Sequence, residues 1–205
     1  MKKPGAIVII SSPSGGGKTS ICRRILSKTR RRQGWTFSVS YTTRRMRVGE
    51  RTGREYHFVS DERFERLAQA GFFAEHFHVH THRYGTPRKP LEQVVRKGGV
   101  MILDVDVQGA FELRREFPEA ITIFVLPPSV AALRRRLRLR GTETREQLAI
   151  RFENARREMK LYSRFEYVVV NRTLDLAVQQ VRAIIRSHSC RADKIDKEQM
   201  QTITG

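Results

Sequence analysis

Cysteine is scarce in this chain: only Cys22 and Cys190 occur among 205 residues. Two thiols do not provide the dense disulfide framework of a small secreted domain, so we predict a protein of the reducing cytoplasm. Long apolar runs are also absent, because no stretch reaches the roughly 18 residues that a membrane-spanning helix needs. The apolar run near the N-terminus is short and leads directly into a glycine-rich turn, which argues against an export signal.

Acidic residues are outnumbered: 21 Asp and Glu face 40 Lys and Arg, which gives a formal net charge of +19. Such an excess suits nucleic acid, an anionic surface or phosphorylated small molecules as partners. The basic residues lack the interleaved aromatics of RNA-binding motifs, so nucleic acid is not the favoured partner and stays open as a side activity. The length suits one domain with a proper core and no internal repeat, as a monomer or a small homo-oligomer.

Glycine, in contrast, is concentrated in one informative stretch. Residues 12–19 read Ser-Pro-Ser-Gly-Gly-Gly-Lys-Thr and follow an apolar run at 6–10. This is the phosphate-binding pattern Gly-x-x-x-x-Gly-Lys-Ser/Thr with Ser12 at the first glycine. Glycines let consecutive backbone N–H groups converge on phosphate oxygens, and the following helix adds partial positive charge. Lys18 is expected to reach the β- and γ-phosphates, and the Thr19 hydroxyl to bind Mg²⁺.

Further apolar runs predict the strands of a parallel sheet. They lie at 100–106, 121–126 and 167–171, and helical patterns separate them. Alternation of strands and helices indicates an α/β fold with crossover connections. The first of these runs ends in acids at the sheet edge where ligands bind, so Asp104 is predicted to lie near the Mg²⁺ of the phosphate loop.

Two segments interrupt the alternation. The segment 36–96 has short strands and polar clusters, as expected of a second-substrate subdomain, whereas 139–157 is rich in arginine, as expected of a closing lid. The core is then 5–35, 97–138 and 158–187, followed by a polar tail at 188–205. This layout predicts phosphoryl transfer between two nucleotides, with the lid excluding water.

The arginines of the predicted helix 130–140 can be sorted by angle. At about 100° per residue, Leu133 and Leu137 define the inward stripe. Arg136 and Arg140 fall beside that stripe and are predicted to point at the site. The remaining three are predicted to meet solvent, namely Arg134, Arg135 and Arg138.

Alternating histidines at 76, 78, 80 and 82 raise the question of a metal site. On one strand they would share a face, and imidazole is a common metal ligand. No cysteine or carboxylate lies at a matching spacing, so a polar strand face is the favoured interpretation. The residues that follow, 83–87, are predicted to form a turn.

Ordered motifs over residues 5–187 resemble the guanylate kinase family, P-loop nucleoside monophosphate kinases that convert GMP and ATP to GDP and ADP. The resemblance rests on the stretches 14–19, 38–44 with Arg47, 49–50, 53–56, 73–75, 84–86, 103–109, 127–129 and 140–143. It implies a P-loop NTPase-type parallel sheet flanked by helices, with an inserted subdomain for the monophosphate and a helical lid. Acceptance of dGMP is also implied, and guanine nucleotide biosynthesis and recycling is the implied role.

The resemblance also implies roles for individual residues. ATP would be bound by the phosphate loop and by an asparagine on the adenine side: Ser14, Gly15, Gly16, Gly17, Lys18, Thr19, Ser20 and Asn171. GMP would be bound by hydroxyls, arginines and carboxylates: Ser40, Arg44, Arg47, Tyr56, Glu75, Tyr84, Thr86 and Asp106. The transferred phosphoryl group would be stabilised by Lys18, Arg136, Arg140 and Arg151. The cofactor Mg²⁺ would be held by Thr19 and, through water, by Asp104.

The chain departs from the family pattern at two places in the donor half. Ser12 replaces a glycine or alanine, and Asn171 is followed by Arg172 and Thr173 where many relatives carry acids. Two other functions stay open. A relative that phosphorylates another phosphate ester should lack the guanine readers, and a guanylate-kinase-like scaffold module should lack the phosphate loop. Both features are present in this sequence.

Overall fold

A computed structural model describes residues 5–29, 34–79, 81–139, 144–195 and 197–205. Nine strands lie within these ranges: β1 Ala6–Ser11, β2 Trp35–Phe37, β3 Tyr41–Thr42, β4 His57–Phe58, β5 Phe73–Val79, β6 His82–Pro87, β7 Val100–Asp104, β8 Ile121–Leu126 and β9 Tyr167–Val170. The α-helices within them are α1 Lys18–Thr29, α2 Asp61–Gln69, α3 Arg88–Arg96, α4 Val107–Glu116, α5 Val130–Arg138, α6 Arg145–Met159, α7 Leu174–His188 and α8 Lys197–Thr204. None of these helices is long and apolar enough to span a membrane.

The main sheet is parallel and has the strand order β2-β7-β1-β8-β9. Its central strand β1 is apolar along its length because both faces are covered: Val8, Ile9 and Ile10 are fully buried. One face packs on α1 and α7, and the other packs on α3 and α4. The predicted α/β fold with a parallel sheet is confirmed.

The second sheet has the order β4-β3-β6-β5 and contains antiparallel pairs. Here the prediction of a turn at 83–87 is wrong, because these residues belong to strand β6. Gly85 suggested a turn, yet its lack of a side chain serves close packing: a Cβ there would lie 2.8 Å from the Phe73 ring. Pro87 ends the strand, where its missing N–H is tolerated.

A bulge at Ala74 lets Phe73 and Glu75 of β5 point to opposite faces of the sheet. The register shifts between Phe73 and Glu75, and both side chains are buried. Phe73 stacks on Phe64 of α2 with ring centroids 4.7 Å apart, whereas Glu75 pairs with Thr86. In a regular strand without the bulge, residues two apart would point to the same face, so the bulge is what separates Phe73 from Glu75.

The histidine run is divided between two strands. His76 and His78 lie on β5, His82 begins β6, and His80 lies outside the described residues. The four positions therefore do not share one face of a single strand. Over the described ranges, no group of three or more His, Cys, Asp or Glu side chains is placed to hold a metal ion.

Candidate active site

The glycine-rich loop between β1 and α1 packs closely against the side chains of Asn171, Leu133 and Leu137. Gly17 has φ +99°, and a Cβ there would lie 2.4 Å from the Asn171 side-chain nitrogen. Gly15 has φ +85°, and its Cβ would lie 3.2 Å from the side chains of Leu133 and Leu137. Glycine at these two positions therefore permits both the left-handed backbone and the close packing of the loop against its neighbours.

Ser12 fits the first position of the loop because its hydroxyl is satisfied locally. Its side chain is buried, and Oγ donates to the Pro13 carbonyl at 3.0 Å. The Gly16 N–H donates to the same carbonyl at 2.8 Å and closes the turn. Serine therefore replaces glycine here without leaving a buried polar atom unpaired.

Lys18, Thr19 and Asp104 meet where β1 and β7 end. Lys18 Nζ lies 2.5 Å from Asp104 Oδ1 and donates to the Val105 carbonyl at 3.1 Å. The Thr19 hydroxyl donates to Asp104 Oδ2 at 2.7 Å. Burial alone would lower the pKa of Lys18, but the charge and hydrogen bond of Asp104 outweigh it, so the net pKa lies well above the ordinary lysine value. Lys18 is therefore a fixed positive charge at the loop.

Arg136 and Asn171 brace the loop through Gly16. Arg136 donates to the carbonyls of Gly16 at 3.2 Å and of Asn171 at 3.0 Å. The buried Asn171 side chain donates to the same Gly16 carbonyl at 3.0 Å. Among the described arginines of α5, Arg136 is half-buried and the other three are exposed, which confirms the angular sorting for these four. Arg140 lies outside the described residues.

Helix α6 reaches the same loop from another side. Arg151 Nη2 donates to the Ser14 hydroxyl at 2.8 Å, and the Ser14 N–H donates to Glu158 Oε2 at 3.1 Å. The predicted Arg151 thus lies at the loop. Ser20 is exposed on the first turn of α1.

Strands β3 and β6 and the segment between β3 and β4 bring together the residues predicted for the GMP phosphate. Arg44 lies 5.6 Å from the Tyr56 ring centroid, and the rings of Tyr56 and Tyr84 are 5.7 Å apart. Ser40 Oγ is 3.3 Å from the Thr86 hydroxyl. Arg47 is exposed and its side chain faces solvent.

Glu75, Thr86 and Asp106 form the carboxylate end of this pocket. Glu75 Oε1 accepts the Thr86 hydroxyl at 2.5 Å, and Oε2 is buried with no hydrogen-bond partner. Burial, reinforced by the nearby charges of Asp106 and Glu112, raises the pKa of Glu75 to about 8, although the Thr86 hydrogen bond opposes the rise. Asp106 caps α4 by accepting the Gly109 N–H at 2.8 Å, and burial raises its pKa too. A buried carboxylate with one unpaired oxygen is costly to the fold when ionised, which is why burial favours its protonated form.

Comparison with known proteins shows that residues 4–188 match the family described as Guanylate kinase. The chain belongs to the guanylate kinase family. The guanylate kinase of Syntrophotalea carbinolica is 43% identical over 97% of this chain and 93% of its own, and that of Caldanaerobacter subterraneus subsp. tengcongensis is 40% identical over 95% and 93%. The crystal structure of guanylate kinase from Anaplasma phagocytophilum has a TM-score of 0.81 and 31% identity, and the match covers 98% of this chain and 94% of that one. The protein is therefore an enzyme of this kinase family.

Two carboxylates of this guanylate kinase family member were missed by sequence reasoning as site residues. Glu50 accepts both terminal nitrogens of Arg44, at 3.0 and 2.8 Å, and the Arg47 N–H at 2.8 Å. Glu158 accepts the Ser14 N–H. Glu50 could have been found, because a carboxylate six residues after an arginine in a turn is a natural partner for it. Glu158 carries no such signal, since its partner lies 144 residues away.

Proposed function

We propose that this enzyme transfers the γ-phosphoryl group of ATP to GMP, giving ADP and GDP. The observation that carries the proposal is the buried Glu75 carboxylate, whose Oε2 has no partner, in the same molecule as an intact phosphate loop. Strand β7 joins the two halves: Asp104 faces the loop and Asp106, two residues on, faces Glu75. A nucleotide donor and a guanine acceptor would meet across this strand end.

On the donor side, the loop residues 14–20 would bind ATP, with Asn171 acting by bracing Gly16. Mg²⁺ fits this site because the Thr19 hydroxyl and an Asp104 carboxylate oxygen lie 2.7 Å apart, and hard oxygen ligands are those that Mg²⁺ prefers. Thr19 would bind the ion directly and Asp104 through water. When bound, Mg²⁺ would neutralise charge on the β- and γ-phosphates.

On the acceptor side, the GMP phosphate would be held by Ser40, Arg44, Arg47 and Tyr56, and Tyr84 would pack near the base or the phosphate. The guanidinium forks match phosphate geometry and the hydroxyls add donors. The phosphate is itself an anionic nucleophile, so no general base is needed. Lys18 would stabilise the charge of the transferred group. Burial raises the pKa of Tyr56, and the nearby charge of Lys18 opposes only part of that rise.

Selection of guanine would rest on Glu75, supported by Thr86 and Asp106. The ionised carboxylate accepts from guanine N1–H and the 2-amino group together. Adenine presents an acceptor at N1 and lacks the 2-amino group, so it offers the ionised carboxylate no donor at either of those positions. Mismatches of buried polar groups discriminate strongly between substrates.

Three arginines would stabilise the charge of the phosphoryl group in the transition state of its transfer: Arg136, Arg140 and Arg151. Arg136 and Arg151 already contact the loop at Gly16 and Ser14.

We assign 36–96 as the monophosphate-binding insertion, 139–157 as the lid, and the rest of 5–187 as the core. Turnover of dGMP, a part in guanine nucleotide recycling and a cytoplasmic location complete the proposal, the last in keeping with the free thiols of Cys22 and Cys190.

The direct test is to incubate the protein with ATP, Mg²⁺ and GMP or dGMP and to separate the nucleotides by chromatography. The expected result is equal formation of ADP and GDP, or of ADP and dGDP. Formation of ADP without the diphosphate of the acceptor would mean hydrolysis and would contradict the proposal.

The pH dependence of GMP binding is predicted to follow Glu75. Its pKa of about 8 in the free protein leaves the carboxyl mostly protonated at neutral pH, and guanine needs the ionised form. Affinity for GMP should therefore rise by up to about tenfold per pH unit as pH increases towards 8, with release of a proton on binding. Titration calorimetry in buffers of different ionisation enthalpy measures the number of protons released when GMP binds. Proton release that is unchanged in Glu75→Gln would contradict the assignment.

Glu50 is predicted to place the arginines that hold the GMP phosphate. In Glu50→Gln, Arg44 loses its bidentate carboxylate and the Arg47 N–H loses a charged acceptor, so KM for GMP should rise about tenfold, the cost of one charge-assisted pair. KM for ATP should change little, because the donor loop is elsewhere. Steady-state kinetics with each substrate varied measures both. Glu62→Gln, an exposed carboxylate on α2, is the control, and an equal effect there would contradict a specific role.

A further inference from the structure

Helix α6 contacts one residue of the phosphate loop at two points. Arg151 donates to the Ser14 hydroxyl at 2.8 Å, and Glu158 accepts the Ser14 N–H at 3.1 Å. Arg151 and Glu158 are seven residues apart, which is about two helical turns, so they lie on the same face of α6. This face of the helix is therefore docked on the loop by a pair of opposite charges.

The neighbouring face of α6 is held by apolar contacts with α5. Ala155 is fully buried against Leu133 and Leu137, and Phe152 and Met159 pack beside it. The same two leucines lie under Gly15, where an added Cβ would approach them to 3.2 Å. The loop, α5 and α6 thus form one packed unit, in which Glu158 makes a polar contact to the loop backbone.

The charge of Glu158 is the unexpected feature of this contact. A carboxylate beside a loop that binds a triphosphate would repel the ligand, so its presence there indicates a structural role. A hydrogen bond from a backbone N–H to an ionised carboxylate is about twice as strong as a neutral one. It also occupies the Ser14 N–H, so the amides available to phosphate oxygens begin at Gly15.

We infer that Glu158 is a positioning residue for phosphoryl transfer: by holding the Ser14 amide it fixes α6 on the loop and keeps the Arg151 guanidinium at the γ-phosphate. This inference rests on the proposed function, in which Arg151 stabilises the transferred group. Glu158 does not touch the reacting atoms and acts through Arg151. A misplacement of about 1 Å in a catalytic group can cost roughly 100-fold in rate, so this contact should be visible in kcat.

The test is a double-mutant cycle on the full chain, measured as GDP formation from ATP and GMP with Mg²⁺. Glu158→Ala is expected to lower kcat by about 30-fold and Arg151→Ala by about 100-fold, within the range for a displaced or removed charge-stabilising donor. The double variant should be no more than about threefold slower than Arg151→Ala, because Glu158 has nothing left to position. KM for GMP should stay within about twofold in all three.

Two further variants separate positioning from folding. Glu158→Gln keeps the shape and one acceptor oxygen but loses the charge, so its kcat should lie between those of Glu158→Ala and the wild type. Glu153→Ala is the matched control, because Glu153 is an exposed carboxylate on the same helix, 3.7 Å from Arg156 and Arg157, and it should retain full activity.

The outcomes are distinct. Multiplicative losses in the double variant, or a kcat of Glu158→Ala within about twofold of the wild type, would overturn the inference. If Glu158→Ala does not fold, the Gln variant decides: it must show a lowered kcat at an unchanged melting temperature. Absence of GDP in the wild type would instead contradict the proposed function, and that is measured first in the same assay.

Discussion

Lys18→Ala is expected to lower kcat for GDP formation by roughly 10³-fold, the upper range for loss of one preorganised donor to the transition state. The ammonium is anchored by Asp104 at 2.5 Å and by the Val105 carbonyl, so it contributes a fixed charge that water cannot replace. The loop shape depends instead on Gly16 and its partners, so binding of ATP should be weakened far less than turnover. Steady-state kinetics and titration with a fluorescent ATP analogue measure the two effects.

The control for this prediction is Lys89→Ala, an exposed lysine on α3 that should have no effect. Circular dichroism should show the same secondary structure in both variants, because the apolar clusters on the two faces of the sheet are unchanged. A kcat of Lys18→Ala within tenfold of the wild type, in a folded protein, would mean that Lys18 is not the phosphate-binding cation.

Glu75→Gln is expected to lower kcat/KM for GMP by about 10²–10³-fold, since the amide accepts one guanine donor and turns its own NH₂ towards the other. Discrimination against AMP should shrink by a similar factor. The control is Glu119→Gln, an exposed carboxylate that pairs with Lys194. Specificity constants for GMP and AMP provide the comparison, and an unchanged ratio would remove Glu75 from the guanine site.

The same substitution should stabilise the protein at alkaline pH. The pKa of Glu75 is raised to about 8 on folding, so its protonated form stabilises the native state below the unfolded value of about 4.5, and this contribution is lost as pH rises through 8. Wild type and Glu75→Gln should therefore melt at similar temperatures near pH 5, and the variant should melt several degrees higher at pH 9. Equal melting temperatures at both pH values would show that the carboxylate is not strained by burial.

Much of the donor site could be predicted from the sequence because it depends on local pattern and sheet topology. The apolar run 121–126 matches strand β8 at both ends. The parallel neighbours β1 and β7 end at the same edge, which brings Asp104 to Lys18 and Thr19. Helical angle was enough to separate Arg136 from its exposed neighbours.

The acceptor half was harder to predict because its strands are short and their pairing is not local. Gly85 and Pro87 carried a turn signal, and only the ring of Phe73 on the next strand explains why a glycine is needed in β6. The bulge at Ala74 leaves no mark in the residue pattern. Glu158 was missed for the same reason, because it contacts a loop residue that lies 144 positions away in the sequence.

The most direct test of the account is the rate of ADP formation from ATP and Mg²⁺ with each nucleoside monophosphate in turn. Glu75, with Thr86 and Asp106 beside it, predicts that GMP supports turnover at a kcat/KM at least about 100-fold above AMP, UMP or CMP, since only guanine offers the adjacent N1–H and 2-amino donors that pair with both carboxylate oxygens. Equal rates with AMP or UMP would contradict the assignment of Glu75 as the guanine reader.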